Sequence, residues 1–466
     1  MSHWKALEPL IVEDALRALR ELLDDNPDEQ FYAVAFQGMY RELDGPIYLP
    51  ALSANSVDAR EDEPSGDFWT AEWNPPDWRW GDIQFAGAAL NAAADAACEI
   101  TRNDTREAWL LAERECIDML VSAARKIRAA LGNAPQLTPD FVVFLHDEEN
   151  GLELARRCIG DAAFGALFPK EAVAEQERLR VTALPVEERV GWLIGRLGRF
   201  DGQPVDSEDA QKWLVDIGAP AVPALLDLLA RPRGKFGWEA ARMLGHIGLA
   251  TPEVLAALRK KLHAPAEPST HAWCAATLAY LGDSDWLFEQ LAAWRGDPER
   301  AAVAVRGLCA PYSAFRDPTP VALDYRPLET LLSSDSAAIA EVVHEKLKPG
   351  SSYCTLRPGE IGEALRGMAS PHAFVRRHAA SVADDRGLGA AAGERILPAL
   401  ADRLAHDDDA DVRWQAARSL AAWKRAALPW HAVAQRAALH DADEMVREAA
   451  RDCVDALGEA GDTQGE

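Results

Sequence analysis

From about Ser207 almost to its end this chain repeats itself, and that repetition constrains the fold more than any other feature. Short alanine-rich segments recur: Trp238-Glu239-Ala240-Ala241-Arg242, Cys274-Ala275-Ala276-Thr277-Leu278, Val375-Arg376-Arg377-His378-Ala379-Ala380, Val412-Arg413-Trp414-Gln415-Ala416-Ala417-Arg418, and Val446-Arg447-Glu448-Ala449-Ala450-Arg451. Where they align, successive copies are offset by roughly 34 to 37 residues, the period of a helical hairpin. Ahead of each stands an amphipathic segment with larger side chains, as at residues 222–229, 252–258, 328–332 and 396–404. Leucines at i, i+3, i+4 and i+7 form a stripe that one hairpin cannot bury alone, so neighbouring hairpins must stack and share a core. Paired alanines let adjacent helices approach closely. Counted from Glu187, about eight hairpins are expected, with proline-bounded connections at 311–327 and 349–358 that are long enough to be candidates for function.

Two stretches, Ile217-Gly218-Ala219-Pro220-Ala221-Val222-Pro223-Ala224-Leu225-Leu226 and Asp411-Val412-Arg413-Trp414-Gln415-Ala416-Ala417-Arg418-Ser419-Leu420, resemble HEAT repeats, in particular the short form of phycobilisome-lyase-like proteins. The resemblance implies that Asp411 caps its helix, Val412 is core and Arg413 bridges neighbouring units. Less completely, it gives Val375, Arg376, Val446 and Arg447 the same roles. The units around Trp238 and His271 lack the Val-Arg pair, so the array should be irregular there. The expected fold is an α+β domain over residues 1–169, followed by an all-α HEAT-repeat solenoid over 170–466, mostly α overall.

In the N-terminal part, residues 13–23 have a helical pattern, whereas Phe31 to Tyr40 is aromatic and β-branched enough for a strand. Residues 47–56 would pair with it across an Asp44-Gly45 turn. Helices are expected over 84–100 and 105–131, then a buried strand at 141–145, then a helical stretch to Phe168-Pro169. Between the second strand and the first of these helices stand Trp69, Trp73, Trp78 and Trp80, four tryptophans within twelve residues. They either plug the sheet face or, with Asp77 and Arg79, form a rigid aromatic anchor for a partner. The order of elements from Phe31 to Pro169 resembles an uncharacterised bacterial domain family found near polymorphic-toxin loci, where small acidic immunity proteins are common.

A formal charge of −26 and a pI near 4.9 repel phosphate backbones and attract cationic surfaces, so a protein partner is expected and nucleic acid is not. Some of that charge stands in short runs, Glu61-Asp62-Glu63, Asp147-Glu148-Glu149 and Asp407-Asp408-Asp409. No apolar stretch approaches the roughly 18 to 20 residues that span a bilayer. With seven cysteines scattered singly, a reducing, cytoplasmic setting is the expectation.

The familiar metal, phosphate and nucleophile motifs H-E-x-x-H, G-x-x-x-x-G-K-[ST] and G-x-S-x-G do not occur, and no cofactor, metal or membrane is expected. His271 and Cys274 make half of a metal site on paper, with no second pair to complete it. These signals together suggest a protein that is not an enzyme, an immunity or antitoxin-like chain. It would neutralise a toxin, in one form a basic toxin domain, through an acidic, aromatic solenoid surface. Its partner-binding residues would be Trp73, Asp77, Trp78, Arg79, Trp80, Trp238, Arg242, Arg377, Trp414 and Arg418. Trp238 and Trp414 fall at equivalent places near the starts of second helices, which line the concave side of HEAT arrays. A general scaffold for endogenous proteins is the alternative. A further one is an enzyme in the N-terminal domain, around Asp77 and the strand-end cluster His146, Asp147, Glu148 and Glu149.

Overall fold

The computed structural model describes residues 3–41, 47–60, 66–102, 106–132, 134–148, 150–231 and 235–462. The Asp44-Gly45 turn, the Glu61-Asp62-Glu63 run and Glu149 lie outside these residues. Two compact units divide the chain, Met1–Glu177 and Arg178–Glu466, a boundary eight residues beyond the position 169 read from the sequence (177 − 169).

The first unit runs α1 (His3–Asp25), β1 (Phe31–Gln37), β2 (Ala51–Ser56), β3 (Trp80–Ile83), α2 (Ala88–Arg102), α3 (Arg106–Leu131), β4 (Leu137–Leu145), α4 (Gly151–Ile159) and α5 (Asp161–Leu167). A further helix, α6 (Pro169–Thr182), crosses the boundary. The sheet order is β3-β2-β1-β4. β1 and β2 are antiparallel with Val34 opposite Ala54, and the ladder is extended by a bridge between Arg41 and Ile47. β4 joins the other edge of β1 in parallel, Ala35 beside Phe144. Every residue of β1 is buried, which explains its unbroken apolar and aromatic run. The sequence reading missed β3, a four-residue edge strand whose composition, Trp-Gly-Asp-Ile, carries no period-2 signal.

The second unit is helical. Its elements are α7 (Val186–Arg196), α8 (Ser207–Ile217), α9 (Val222–Ala230), α10 (Gly237–Ile247), α11 (Pro252–His263), α12 (Pro268–Tyr280), α13 (Ser284–Ala293) and α14 (Pro298–Cys309). The remainder are α15 (Arg326–Leu332), α16 (Ala337–Leu347), α17 (Ile361–Met368), α18 (Ala373–Ser381), α19 (Ala390–His406), α20 (Ala410–Ala422), α21 (His431–His440) and α22 (Glu444–Asp462). Second helices pack on one another in a row, α8 on α10, α10 on α12, α12 on α14 and α14 on α16, and again α18 on α20 and α20 on α22. First helices form a parallel row, with α9 on α11 and α17 on α19 on α21. One continuous core follows, from Val190 to Leu457. Among the described residues no single helix is long and apolar enough to cross a membrane.

Small residues set the spacing in that row. At Gly307 of α14 an added Cβ would lie 2.6 Å from the Cβ of Ala275 and 2.7 Å from its carbonyl carbon, so the backbones touch where the sequence offers Gly and Ala. Replacing Gly307 with Ala should therefore force α12 and α14 apart, at a cost of roughly 1–3 kcal/mol in urea unfolding.

An arginine ladder ties the C-terminal hairpins together. Arg376 grips Asp407 through Nε and Nη2 at 2.8 and 2.7 Å, and Arg413 grips Asp441 at 2.8 and 2.9 Å. Each arginine also donates to the carbonyl six residues before it: Arg376 to Ser370, Arg413 to Asp407 and Arg447 to Asp441. Val375, Val412 and Val446 are fully buried beside them. The cap is displaced from its expected position. Asp409, not Asp411, accepts from the Val412 N–H at 3.1 Å, and Asp443 serves α22 in the same way. Asp411 is exposed inside the first turn.

The two long connections are laced together. Ser313 bridges Tyr353, Ala314 N–H donates to Ser352, and Cys354 N–H donates to Tyr312. Tyr312 and Tyr325 stack at 5.7 Å with rings 6° from parallel. His378 of α18 joins them: its Nε2–H donates to the Tyr312 carbonyl, so Nδ1 is the acceptor for the Tyr325 hydroxyl, both at 2.8 Å. Beside this cluster Arg316, wholly buried, donates to Glu360 at 2.7 Å and to the Thr355 carbonyl at 2.9 Å.

Burial lowers the pKa of His378 to about 4, against 6.5 ordinarily. Below pH 6.5 the unfolded chain takes up a proton that the folded chain refuses until about pH 4. Stability that is present above pH 6.5 is therefore lost as pH falls through that window, by about 3 kcal/mol from this group. Urea titrations at pH 7 and 4.5 should show this loss, and a His378→Gln variant should show a shallower pH dependence.

Candidate functional site

Aromatic rings and arginines gather on one face of the second-helix row. On α10, Trp238, Arg242 and His246 follow at i, i+4 and i+8, one stripe of the helix. The Arg242 guanidinium lies 5.3 Å from the Trp238 ring centroid and 6.0 Å from that of Trp273 on α12, and its Nη2 donates to Gln211. Trp273 continues edge-to-face to Phe315 at 5.6 Å and meets His246 at 6.4 Å. Burial first, and Arg242 second, lower His246 to about 4, so it is neutral and aromatic in character at physiological pH. Phe315 is 65% exposed. It is brought here by the short turn Ala314–Arg316, whose other end is anchored by buried Arg316.

Next to Trp273 and Phe315 opens a hollow of about 710 Å³. Helices α12, α14 and α16 and the two laced connections surround it, with Tyr280, Arg306 and Lys346 in its lining and, among the described residues, no carboxylate. Arg306 meets the Glu345 carboxylate at 3.5 Å, with Glu345 itself half exposed. Further along, Arg418 of α20 lies 4.8 Å over Trp414, which repeats the Trp238–Arg242 pairing at the same i, i+4 spacing. The charged side chains lining the hollow are thus cations, Arg306 and Lys346, in a chain whose net charge is −26.

The predicted partner-binding residues divide sharply by exposure. Trp238, Arg242 and Trp414 are half-buried on this face and Arg418 is exposed. Arg377 is a correction. It is 4% exposed, donates to the Leu347 carbonyl at 2.7 Å and lies against Phe374, closing the end of α16. Trp73 and Trp78 are corrected too, being only 4% and 5% exposed. Trp73 meets Tyr32 at 5.4 Å and Phe168 at 4.7 Å, and Trp78 packs on Phe144 while its Nε1–H donates to the Glu72 carbonyl. They plug the sheet and cannot anchor a partner. Trp80 is half-buried against Phe31. Arg79 is exposed, over the Trp80 ring and 3.1 Å from Glu29, and Asp77 is exposed and accepts from Asn74. Sequence reasoning missed Trp273, Phe315, Arg306 and Lys346. Trp273 stands one position off the register that relates Trp238 to Trp414, because Cys274 and Ala275, not Ala275 and Ala276, occupy the wholly buried alanine-pair places. Its only sequence signal is a tryptophan beside the alanine pair.

In the first unit, the parallel strands β1 and β4 end at a crevice of about 420 Å³ lined by Gly38, Tyr40, Arg41, Trp109, Glu113, His146, Asp147 and Glu148, among others. Arg41 binds Asp147 through both Nη atoms, at 2.6 and 2.9 Å, and Glu113 through Nε at 2.6 Å. That pairing holds Asp147 below the usual carboxylate range against the effect of its burial. His146 is half-buried, and burial lowers its pKa. The cluster of Asp77, His146 and Glu148 is only partly assembled, since Asp77 does not line this crevice. His271 is occupied by the Ala264 carbonyl at 2.9 Å. Cys158 and Cys354 are buried thiols pushed up to about 11, and Cys274, Cys309 and Cys453 to about 12.

No family model matches the chain, and no curated protein matches it. Among solved structures, human deoxyhypusine hydroxylase in complex with glycerol is similar at 21% identity, over 59% of this chain and 97% of that one, with a TM-score of 0.23. The expectation that the chain is not an enzyme is corrected at this point, because the neighbour so found is itself a hydroxylase. A TM-score of 0.23 assigns neither that activity nor a fold to this protein.

Proposed function

We propose that the second unit is a HEAT-type solenoid of the short, phycobilisome-lyase-like kind and that it holds a protein partner on the face carrying Trp238, Arg242, Trp273, Phe315, Trp414 and Arg418. One observation carries this reading: Trp238 and Trp414, half-buried, each lie beside an arginine one turn on, Arg242 and Arg418, and Phe315 next to Trp273 is 65% exposed, whereas the aromatic clusters around Tyr312 and Trp73 are sealed in cores. Aromatic and arginine side chains held rigidly by a scaffold are the usual anchors of protein interfaces. The stacked hairpins, the buried valines and the arginine ladder support the HEAT assignment.

In its specific form the reading is toxin neutralisation in the cytoplasm, with the partner encoded beside this chain. Support comes from the likeness of the N-terminal element order to the domain family near toxin loci. Co-expression of the adjacent gene product should arrest growth without this chain and permit it with this chain. A Trp238→Ala/Trp414→Ala double variant, folded by circular dichroism, should weaken binding of that partner at least tenfold in calorimetry. Unchanged affinity would reject the face.

A further inference from the structure

We infer that the hollow beside Trp273 and Phe315 is the seat for an acidic peptide segment of the partner, one that inserts an aromatic or large aliphatic side chain between flanking carboxylates. This rests on the protein-docking reading above and specifies the chemistry of what docks.

Three observations lead to it. The hollow holds about 710 Å³, ample for one large side chain and the backbone on either side. Trp273 and Phe315 supply ring surfaces for the inserted group, and Phe315 leaves most of its own ring uncovered. The charged residues of the lining are Arg306 and Lys346, on adjacent helices α14 and α16, and Arg242 stands behind Trp273. In a chain of net charge −26 a lining with cations and no carboxylate is a local reversal of sign. A carboxylate approaching this point gains from both cations while a basic segment meets like charge. Glu345 already touches Arg306, but at 3.5 Å and with both side chains exposed, so an incoming carboxylate displaces little.

Charge complementarity also decides between an acidic peptide and a nucleic acid. A phosphate backbone needs a track of cations along its length, and the rest of this molecule repels it. A short acidic segment needs only the local pair.

Selection of displayed random dodecapeptides on the full-length chain tests the assignment. Enriched sequences should place an aromatic or leucine residue among aspartates and glutamates. Their binding should fall tenfold or more in Arg306→Gln/Lys346→Gln and in Trp273→Ala, and weaken with added salt. Enriched peptides that are neutral or basic, yet depend on Trp273, would overturn the acidic assignment and leave the docking face standing. Peptides indifferent to Trp273→Ala and to Trp238→Ala/Trp414→Ala, or no enrichment at all, would overturn both. Tighter binding of a twelve-nucleotide single strand than of any enriched peptide would replace the peptide by nucleic acid and overturn the assignment. Circular dichroism and urea midpoints of each variant separate lost binding from lost folding.

Discussion

Glu360→Ala should cost the second unit about 3–5 kcal/mol, read as a lowered urea midpoint with an unchanged slope. Glu360 gives Arg316 its counter-charge at 2.7 Å while its second oxygen accepts from the Leu323 N–H at 2.9 Å. Arg316 is completely buried, and among the described residues its Nε and Nη1 find no hydrogen-bond partner, so Glu360 and the Thr355 carbonyl are the acceptors that hold a guanidinium removed from water. Deleting the carboxylate leaves a buried charge uncompensated. Changing both partners to apolar residues, Arg316→Met with Glu360→Leu, should recover most of the loss, because the expensive state is the single orphan. A single variant within about 1 kcal/mol of the parent would mean that water reaches the pair on little opening.

Trp73→Ala should be comparably severe, about 3–5 kcal/mol, and confined to the first unit. Its ring contacts Tyr32, Phe144 and Phe168, three aromatic neighbours that would then border a cavity. The near-ultraviolet signal of the first unit should broaden at lower urea while unfolding of the second keeps its midpoint. A fully stable Trp73→Ala protein with impaired partner binding would restore the anchor role that burial denies to this residue.

Legibility in the sequence followed the range over which each physical cause acts. Val412 and Arg413 were readable because their roles depend on one helix and the next, and the same offsets recur at Val375, Arg376, Val446 and Arg447. The cap was misplaced by two residues because Asp407, Asp409 and Asp411 alternate, and any of them satisfies the local pattern. Only the Arg376 ion pair settles which aspartate does what, holding Asp407 and leaving Asp409 to cap. The strands around Phe31 and Phe144 were readable from composition, but the edge strand at Trp80 needs β2 beside it to exist at all. Burial of Trp73, Trp78 and Arg377 depends on contacts across dozens of residues, and the sequence assigns a tryptophan no side of a sheet. The pair Arg306 and Lys346 in the lining of the hollow was hidden by the net acidity, a sum that says nothing of where each charge lies.

The lacing of residues 312–325 to 353–360, with His378 inserted between them, alters what stacked hairpins are mechanically. An array of nearest-neighbour contacts frays from its ends one unit at a time. Here a pull on either end meets a rivet that joins segments dozens of residues apart, so fraying from one end must break those long-range bonds before it passes the centre. Phe315 hangs from that rivet by the same three-residue turn that buries Arg316. Whatever presses on the ring is thereby braced against a buried ion pair.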